Sequence, residues 1–88
     1  MTPYRLLVDY EAVRFMESLK RSDQAVVRAR LTHLRDDPRR FSDYQEPDST
    51  GRPVDIHIVG KYAIKYWEDH ADRQVKILEI HLADRPAL

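Results

Sequence analysis

The residues of this sequence that could do chemistry are concentrated in its C-terminal half. Two histidines, His57 and His81, lie in apolar stretches, and an imidazole titrates near neutral pH, where it can take up or release a proton. Cations that could hold a phosphate lie around them, at Arg52, Lys61, Lys65 and Arg85. These residue types therefore suit proton transfer beside a bound phosphate. The alternative is that each of them only solvates an exposed surface.

One aromatic residue and the histidine spacing narrow the kind of site that is expected. Trp67 could stack on a nucleobase, or it could pack against the tail of the chain. The four histidines, at positions 33, 57, 70 and 81, lack the short spacing of zinc ligands. The sequence contains no glycine-rich phosphate loop and no Ser-His-Asp pattern. It therefore predicts a site without a metal ion or a cofactor.

The stretch that must position these residues is a predicted β-hairpin over residues 52–66. Apolar side chains recur at every second residue on both sides of a turn at Gly60, which is typical of two strands with one buried face each. The side chains expected on the buried face are those of Val54, Ile56, Ile58, Tyr62, Ile64 and Tyr66. The opposite face would then present His57, Lys65 and Trp67 to solvent or to a ligand. We expect the functional site on that face.

The rest of the chain predicts the elements that support this hairpin. Asp9 is expected to cap a helix over about residues 10–20, and Ser22 or Asp23 a second helix that ends near residue 35. Residues 4–8 and 75–82 are predicted strands, and residues 38–52 a long surface loop with room for a short extended piece around Tyr44. The order β-α-α-β-β-β predicts an α+β fold, in which a helical hairpin packs on one face of a small, mostly antiparallel sheet.

Length and composition indicate one small domain. The chain has 88 residues and no cysteine, so residues 1–88 are predicted to form a single domain without disulfides. Its 15 basic and 15 acidic side chains cancel, which argues against a strongly basic nucleic-acid-binding domain but allows a local basic patch. No apolar run is long enough for a membrane span or a signal peptide. We therefore expect a cytoplasmic protein that does not bind membranes.

Several stretches of the sequence resemble toxins of the RelE/ParE superfamily, which belong to bacterial type II toxin–antitoxin systems. These stretches are YRLLVDYEAVRFMESL at the start, LTHLRDDP at the end of the second predicted helix, and GRPVDIHIVGKYAIKYWED followed by VKILEIHLADR. Together they cover nearly the whole chain, and they are patterns of residue type rather than invariant catalytic strings. The resemblance implies the fold of the superfamily, with the open face of the sheet as its functional surface.

The superfamily contains two functional classes, and the resemblance leaves both open. RelE-like members cleave mRNA, mostly on the ribosome, whereas ParE-like members inhibit DNA gyrase without cleaving RNA. The leading hypothesis for this chain is an mRNA-cleaving endoribonuclease that inhibits translation and is neutralised by a cognate antitoxin. The alternative is a ParE-like or attenuated toxin that acts by protein contact, on gyrase or on its antitoxin only.

The resemblance also implies roles for particular residues. RNA cleavage by its own 2′-hydroxyl needs a proton acceptor, a cation at the phosphate and a proton donor, and it needs no metal. His57 lies where YafQ-like members carry a catalytic histidine, and Arg85 follows the last strand, where the superfamily often has a basic residue. Ala63 stands where many members carry an arginine. The expected catalytic residues are His57, Arg85, Lys61 and His81, and the expected RNA-binding residues are Arg52, Lys65 and Trp67.

Overall fold

In the computed structural model of the protein, which describes residues 4–83, two helices cover one face of a five-stranded sheet. The elements follow one another as β1 (Arg5–Val8), α1 (Tyr10–Glu17), α2 (Arg21–Asp36), β2 (Tyr44–Pro47), β3 (Pro53–Val59), β4 (Tyr62–Asp69) and β5 (Gln74–Leu82). The predicted α+β class is confirmed, with one strand more than the four expected. The described helices are too short or too polar to cross a membrane.

The sheet has the strand order β1-β5-β4-β3-β2. β1 pairs with β5 in parallel, and the other pairs are antiparallel. β5 is therefore an interior strand, as its apolar residues on both faces predict. Lys65 pairs with Glu79 while Tyr66 pairs with Ile77, so Leu78 is the extra residue of a β-bulge.

The core lies between the helices and the sheet, where the predicted stripes place it. The carboxylate of Asp9 accepts a hydrogen bond from the backbone N–H of Glu11 at 3.0 Å, so the predicted cap of α1 is confirmed. Both helices then turn their apolar stripes to the sheet. The buried residues that pack together are Ala12 and Met16 of α1, Val27, Leu31 and Leu34 of α2, and Val59, Tyr62, Ile64, Tyr66, Val75, Ile77 and Ile80 of the strands.

One predicted helix cap differs from the structure, and one predicted extended piece is confirmed. α2 begins at Arg21 with Lys20 at the N-cap and no side-chain hydrogen bond there, so the predicted cap by Ser22 or Asp23 is wrong. The carboxylate of Asp23 instead accepts a hydrogen bond from the Tyr62 hydroxyl at 2.6 Å. The short extended piece around Tyr44 is the strand β2. Its sequence, YQEP, lacks the alternation of apolar and polar residues that predicts a strand.

In the β3–β4 hairpin, the side chains of β3 point to the face of the sheet opposite to the predicted one. Val59 pairs with Tyr62 across a two-residue turn, whose first residue, Gly60, has a φ of 58°. Directly paired residues point to the same face of a sheet. Tyr62 faces the helices, so Val59 does as well, and every second residue back along β3 follows it.

His57 is therefore on the helix-covered face, paired with Ile64. The prediction that it shares a face with Lys65 and Trp67 is wrong. The reason is that the turn fixes which face each residue takes, whereas β3 has apolar residues on both of its faces and its composition does not decide between them.

Candidate functional site

The open face of the sheet is the surface that the helices leave uncovered. Its side chains are assigned by strand pairing, because paired residues share a face. They include Tyr44 and Glu46 of β2, Val54, Ile56 and Ile58 of β3, Ala63, Lys65 and Trp67 of β4, and Lys76, Glu79 and His81 of β5. The structure thus brings three of the predicted site residues, Lys65, Trp67 and His81, onto one surface.

A row of titratable side chains crosses this open face. Lys65 Nζ lies 3.0 Å from Glu46 Oε1 and 3.5 Å from Glu79 Oε2. His81 Nδ1 lies 3.7 Å from the other carboxylate oxygen of Glu79. The hydrogen bond to Glu46 raises the pKa of Lys65, so the ammonium stays charged at neutral pH. Glu79 consequently sits between an imidazole and an ammonium and can orient both.

His81 has the geometry of a proton-transfer group on this surface. Its side chain is one-third exposed, and its Nδ1 is buried without a hydrogen-bond partner among residues 4–83. An imidazolium at this position would gain a charge-assisted contact from Nδ1 to Glu79. Among the described histidines, His81 is the one that lies on the open face. It can therefore exchange a proton with a molecule bound there.

Two cations lie over the ring of Trp67 next to this row. Arg52 Cζ is 4.0 Å and Lys76 Nζ is 5.0 Å from the ring centroid, within the range of cation–π contacts. Each cation also has a carboxylate partner, with Arg52 Nε 3.1 Å from Asp48 Oδ2 and Lys76 Nζ 3.2 Å from Asp69 Oδ2. Arg52 and Trp67 thus lie in contact, and the RNA-binding role expected for both stays a prediction. The ring of Trp67, however, is already in contact with a guanidinium.

His57 lies under the loop that follows α2, and it is 6% exposed. Its Nδ1 is 2.7 Å from the Phe41 carbonyl oxygen and 3.1 Å from Asp43 Oδ2. A carbonyl oxygen only accepts, so Nδ1 carries the proton and donates it. Nε2 is buried with no hydrogen-bond partner in the described part of the chain. These contacts anchor the loop to β3, and the catalytic role expected for His57 stays a prediction.

Lys61 lies in the β3–β4 turn, away from the open-face row. Its Nζ is 3.7 Å from Asp23 Oδ2, at the start of α2, and its side chain is mostly exposed. Tyr62 donates to the same carboxylate, which ties the turn to the helix. The structure therefore does not bring Lys61 together with His81 and Lys65. Arg85 lies outside the described residues.

Sequence reasoning missed the acidic members of the site. Glu79 precedes His81 by two residues on one strand, and this spacing puts both side chains on one face. That pattern was available in the sequence. Glu46 and Asp48 lie in and beside β2, a stretch expected to be a loop, and no local pattern pairs them with β4. No three acidic or histidine side chains within residues 4–83 are arranged to hold a metal ion.

Comparison with known proteins identifies the fold. No protein-family model matches the sequence, and no curated protein is similar to it in sequence. The structure does match a chain of the archaeal RelE–RelB complex from Pyrococcus horikoshii OT3, with a TM-score of 0.78 and 19% identity over 97% of this chain and 100% of that one. The fold is that of the RelE toxins.

Two further RelE structures agree with this result. A chain of the toxin–antitoxin complex RelBE2 from Mycobacterium tuberculosis gives a TM-score of 0.75 with 21% identity, covering 92% of this chain and 99% of that one. The isolated RelE toxin of E. coli gives a TM-score of 0.73 with 17% identity, covering 94% and 87%. At these identities the likeness concerns the architecture, so the function has to be argued from the site.

Proposed function

We propose that this protein is the toxin component of a type II toxin–antitoxin pair and that a cognate antitoxin protein binds and neutralises it. Two observations support the proposal. The RelE fold extends over nearly the whole chain, and several solved structures with this fold are toxin–antitoxin complexes. In this proposal the protein acts in the cytoplasm, where ribosomes and mRNA are found.

The proposed action is cleavage of mRNA, on the ribosome, at the open face of the sheet. One observation carries it: His81, Glu79 and Lys65 lie in contact on that face, beside the stacked pair of Arg52 and Trp67. As the 2′ oxygen bonds to phosphorus and the P–O5′ bond breaks, His81 would either take the proton of the 2′-hydroxyl or give a proton to the leaving 5′ oxygen, and water would serve the other role. Lys65 would hold the phosphate as negative charge develops, after giving up one of its two carboxylate contacts. Glu79 would keep His81 in position.

A second candidate function is inhibition by protein contact, on gyrase or on the antitoxin only. It is favoured by the charge balance of the open face, where Lys65, Lys76 and Arg52 each already contact a carboxylate. Binding to RNA depends on cations that neutralise phosphates, and a paired cation contributes less. Such a charge-balanced surface suits a protein partner.

Induced expression in a bacterium tests the two candidates. The wild type, His81→Ala and His33→Ala would be compared by growth and by mapping mRNA 5′ ends. His33 is an exposed histidine of α2, away from the open face, and serves as the matched control. We expect growth arrest with new 5′ ends from the wild type and the control. We expect His81→Ala to reduce these ends by about a hundredfold, because a lost acid–base group costs this much.

The other outcomes separate the alternatives. Growth arrest without new mRNA ends, accompanied by loss of DNA supercoiling, would establish the gyrase-type action. Coexpression with a candidate antitoxin should relieve the arrest if that protein is the cognate partner. A wild type that causes no arrest, and that retains no partner protein on purification from its native cell, would refute the toxin proposal.

A further inference from the structure

The turn between β2 and β3 is held by the carboxylate of one residue, Asp48. Its Oδ1 accepts hydrogen bonds from Thr50 N at 2.8 Å, from Thr50 Oγ1 at 2.7 Å and from Arg52 N at 3.0 Å. Its Oδ2 accepts from Arg52 Nε at 3.1 Å. Gly51 completes the turn with a φ of 87°. These hydrogen bonds lower the pKa of Asp48 to about 2, and the bond from the Thr50 side chain is the largest cause. The carboxylate is therefore charged throughout the physiological pH range.

This turn fixes the guanidinium of Arg52 in one place. Asp48 binds both the backbone N–H and the Nε of Arg52, and the ring of Trp67 supports the guanidinium plane at 4.0 Å. The two terminal amino groups of Arg52 make no hydrogen bond with the described residues, and the side chain is 43% exposed. A planar fork of free donors, already ordered, loses little entropy when it binds a ligand.

We infer that Arg52 is a preorganised phosphate-binding residue of the open face and that Asp48 is its positioning residue. The ligand is a phosphodiester of single-stranded RNA. This inference rests on the proposed action on RNA, and it adds a second phosphate contact beside the row of His81, Glu79 and Lys65. A guanidinium fork matches two phosphate oxygens, and Trp67 supports the fork instead of stacking on a base.

The geometry favours a nucleic-acid backbone over an isolated anion. Trp67 follows Lys65 by two residues on β4, which is roughly 7 Å along the strand. The Arg52–Trp67 pair and Lys65 therefore lie near one another on the same face. Lys76 Nζ, also over the ring of Trp67, adds a second cation at the Arg52 end. An extended RNA strand that crosses this face can thus contact Lys65 with one phosphate and Arg52 with another.

Binding of an uncleavable RNA tests the inference. The probe is a short single-stranded oligonucleotide with 2′-O-methyl riboses and a fluorescent label, and the readout is its anisotropy over a range of salt concentrations. Arg52→Gln is expected to weaken binding about tenfold at low salt. It should also reduce the slope of log K against log salt by about 0.7, which corresponds to one phosphate contact on a single strand. An unchanged slope would overturn the assignment.

A second ion pair of the chain provides matched control variants. Arg35 Nε lies 3.1 Å from Asp36 Oδ1, the same distance as between Arg52 Nε and Asp48 Oδ2, and the two arginine side chains are 40% and 43% exposed. This pair lies at the end of α2, away from the open face. Arg35→Gln and Asp36→Asn remove the same charges as Arg52→Gln and Asp48→Asn. We expect both controls to leave the salt slope unchanged.

The direction in which Asp48→Asn changes RNA affinity shows whether Asp48 positions Arg52 or only adds a negative charge. Removing a negative charge beside Arg52 should strengthen RNA binding if only net charge matters. If Asp48 positions the guanidinium, the variant should bind several-fold more weakly although it is more positive. Binding as tight as that of the wild type would refute the positioning role.

Trp67→Leu keeps the Asp48 turn and removes the ring that supports the Arg52 guanidinium. This variant therefore still tests the inference if Asp48→Asn disturbs the fold. It should also weaken binding, and adding Arg52→Gln to it should cause little further loss, because both residues serve one contact. Additive losses would show that Arg52 and Trp67 act separately, and would overturn the shared contact.

The binding experiment tests the inference whether or not the protein cleaves RNA. A wild type that binds the probe through Arg52 but cuts no mRNA in cells retains this inference and loses the nuclease proposal. A wild type that cuts mRNA but shows no dependence on Arg52 retains the proposed function and overturns the inference. A wild type that does not bind the probe at low salt overturns the inference as well.

Discussion

The helix-covered face and the open face of this sheet are built from different kinds of contact. Beneath the helices, Ile64, Tyr66 and Val75 have no exposed surface. On the open face, apolar residues such as Ile56 are covered by neighbouring long side chains, among them Lys65, whose charged end is held by carboxylates. Lysine side chains often cover apolar surface in this way while their ammonium stays in water.

Because of this difference, the covered face mainly stabilises the fold, whereas the open face can contact a ligand. A fully buried large apolar side chain contributes about 1.5–3 kcal/mol to stability, whereas an exposed ion pair contributes about 0–1 kcal/mol. The covered face therefore carries most of the stability, and the charged residues of the open face can change partners at little cost. His57 and His81, on opposite faces of one sheet, should differ in the same way.

The largest effect expected from this comparison is on folding. Ile64→Ala on the covered face should lower the free energy of unfolding by about 3–4 kcal/mol, because it leaves a cavity between the helices and the sheet. Ile58→Ala, on the partly exposed side of β3, should cost about 1 kcal/mol. Urea unfolding of both variants measures the difference. Equal losses would contradict the division of the two faces.

The two histidines provide the next largest contrast. His57→Ala removes the donor to the part-buried Phe41 carbonyl and should lower the free energy of unfolding by about 2 kcal/mol. His81→Ala should change it by less than about 0.5 kcal/mol, since this side chain makes no short hydrogen bond among the described residues. Activity per folded molecule should show the reverse order. Loss of activity in a stably folded His57→Ala protein would support the catalytic role predicted from the sequence.

The covered face could be predicted from the sequence because periodicity reports burial directly. The stripes of Ala12 and Met16 in α1 and of Val27, Leu31 and Leu34 in α2 repeat at helical spacing, and the structure buries all five. The alternation of Tyr62, Ile64 and Tyr66 in β4 identifies the covered side of that strand equally well.

The facing of β3 could not be predicted from its alternation. Val54 and Ile56 alternate with His57 and Val59, and all four are buried, because β3 lies between two other strands. Periodicity shows which residues are on the same side but not which side that is. The pairing of Val59 with Tyr62 across the turn decides it. A two-residue turn beginning with Gly60 would have indicated this pairing.

Sequence reasoning named the cations, the histidine and the tryptophan of the open face but not their carboxylate partners. Arg52, Lys65, Trp67 and His81 lie on or over this face because β3, β4 and β5 are neighbours in the sheet, and the roles expected for them stay predictions. Their carboxylate partners depend on pairings between strands that are distant in sequence, such as that of β2 with β3. No local pattern encodes such pairings. The charge balance of the open face is therefore a property of the fold and not of any one segment.

A smaller effect is expected from the ion pairs of the open face. Lys65→Met keeps the aliphatic cover over the sheet and removes the contacts to Glu46 and Glu79, so it should change the free energy of unfolding by less than about 1 kcal/mol. The same variant should weaken RNA binding and reduce the slope of log K against log salt. Urea unfolding at low and high salt is the measurement. A loss of several kcal/mol would mean that this face also holds the fold together.

The smallest effect concerns the pH dependence of the Asp48 turn. The pKa of Asp48 is lowered from an ordinary 3.8 to about 2, so the unfolded chain takes up the proton first as the pH falls. The stability that the carboxylate contributes is thus fully present above about pH 4 and is lost as the pH falls towards 2. The difference in urea midpoint between the wild type and Asp48→Asn should shrink over that interval. Ile58→Ala removes no titratable group, so its difference from the wild type should stay constant, and a parallel change in both variants would place the pH dependence elsewhere.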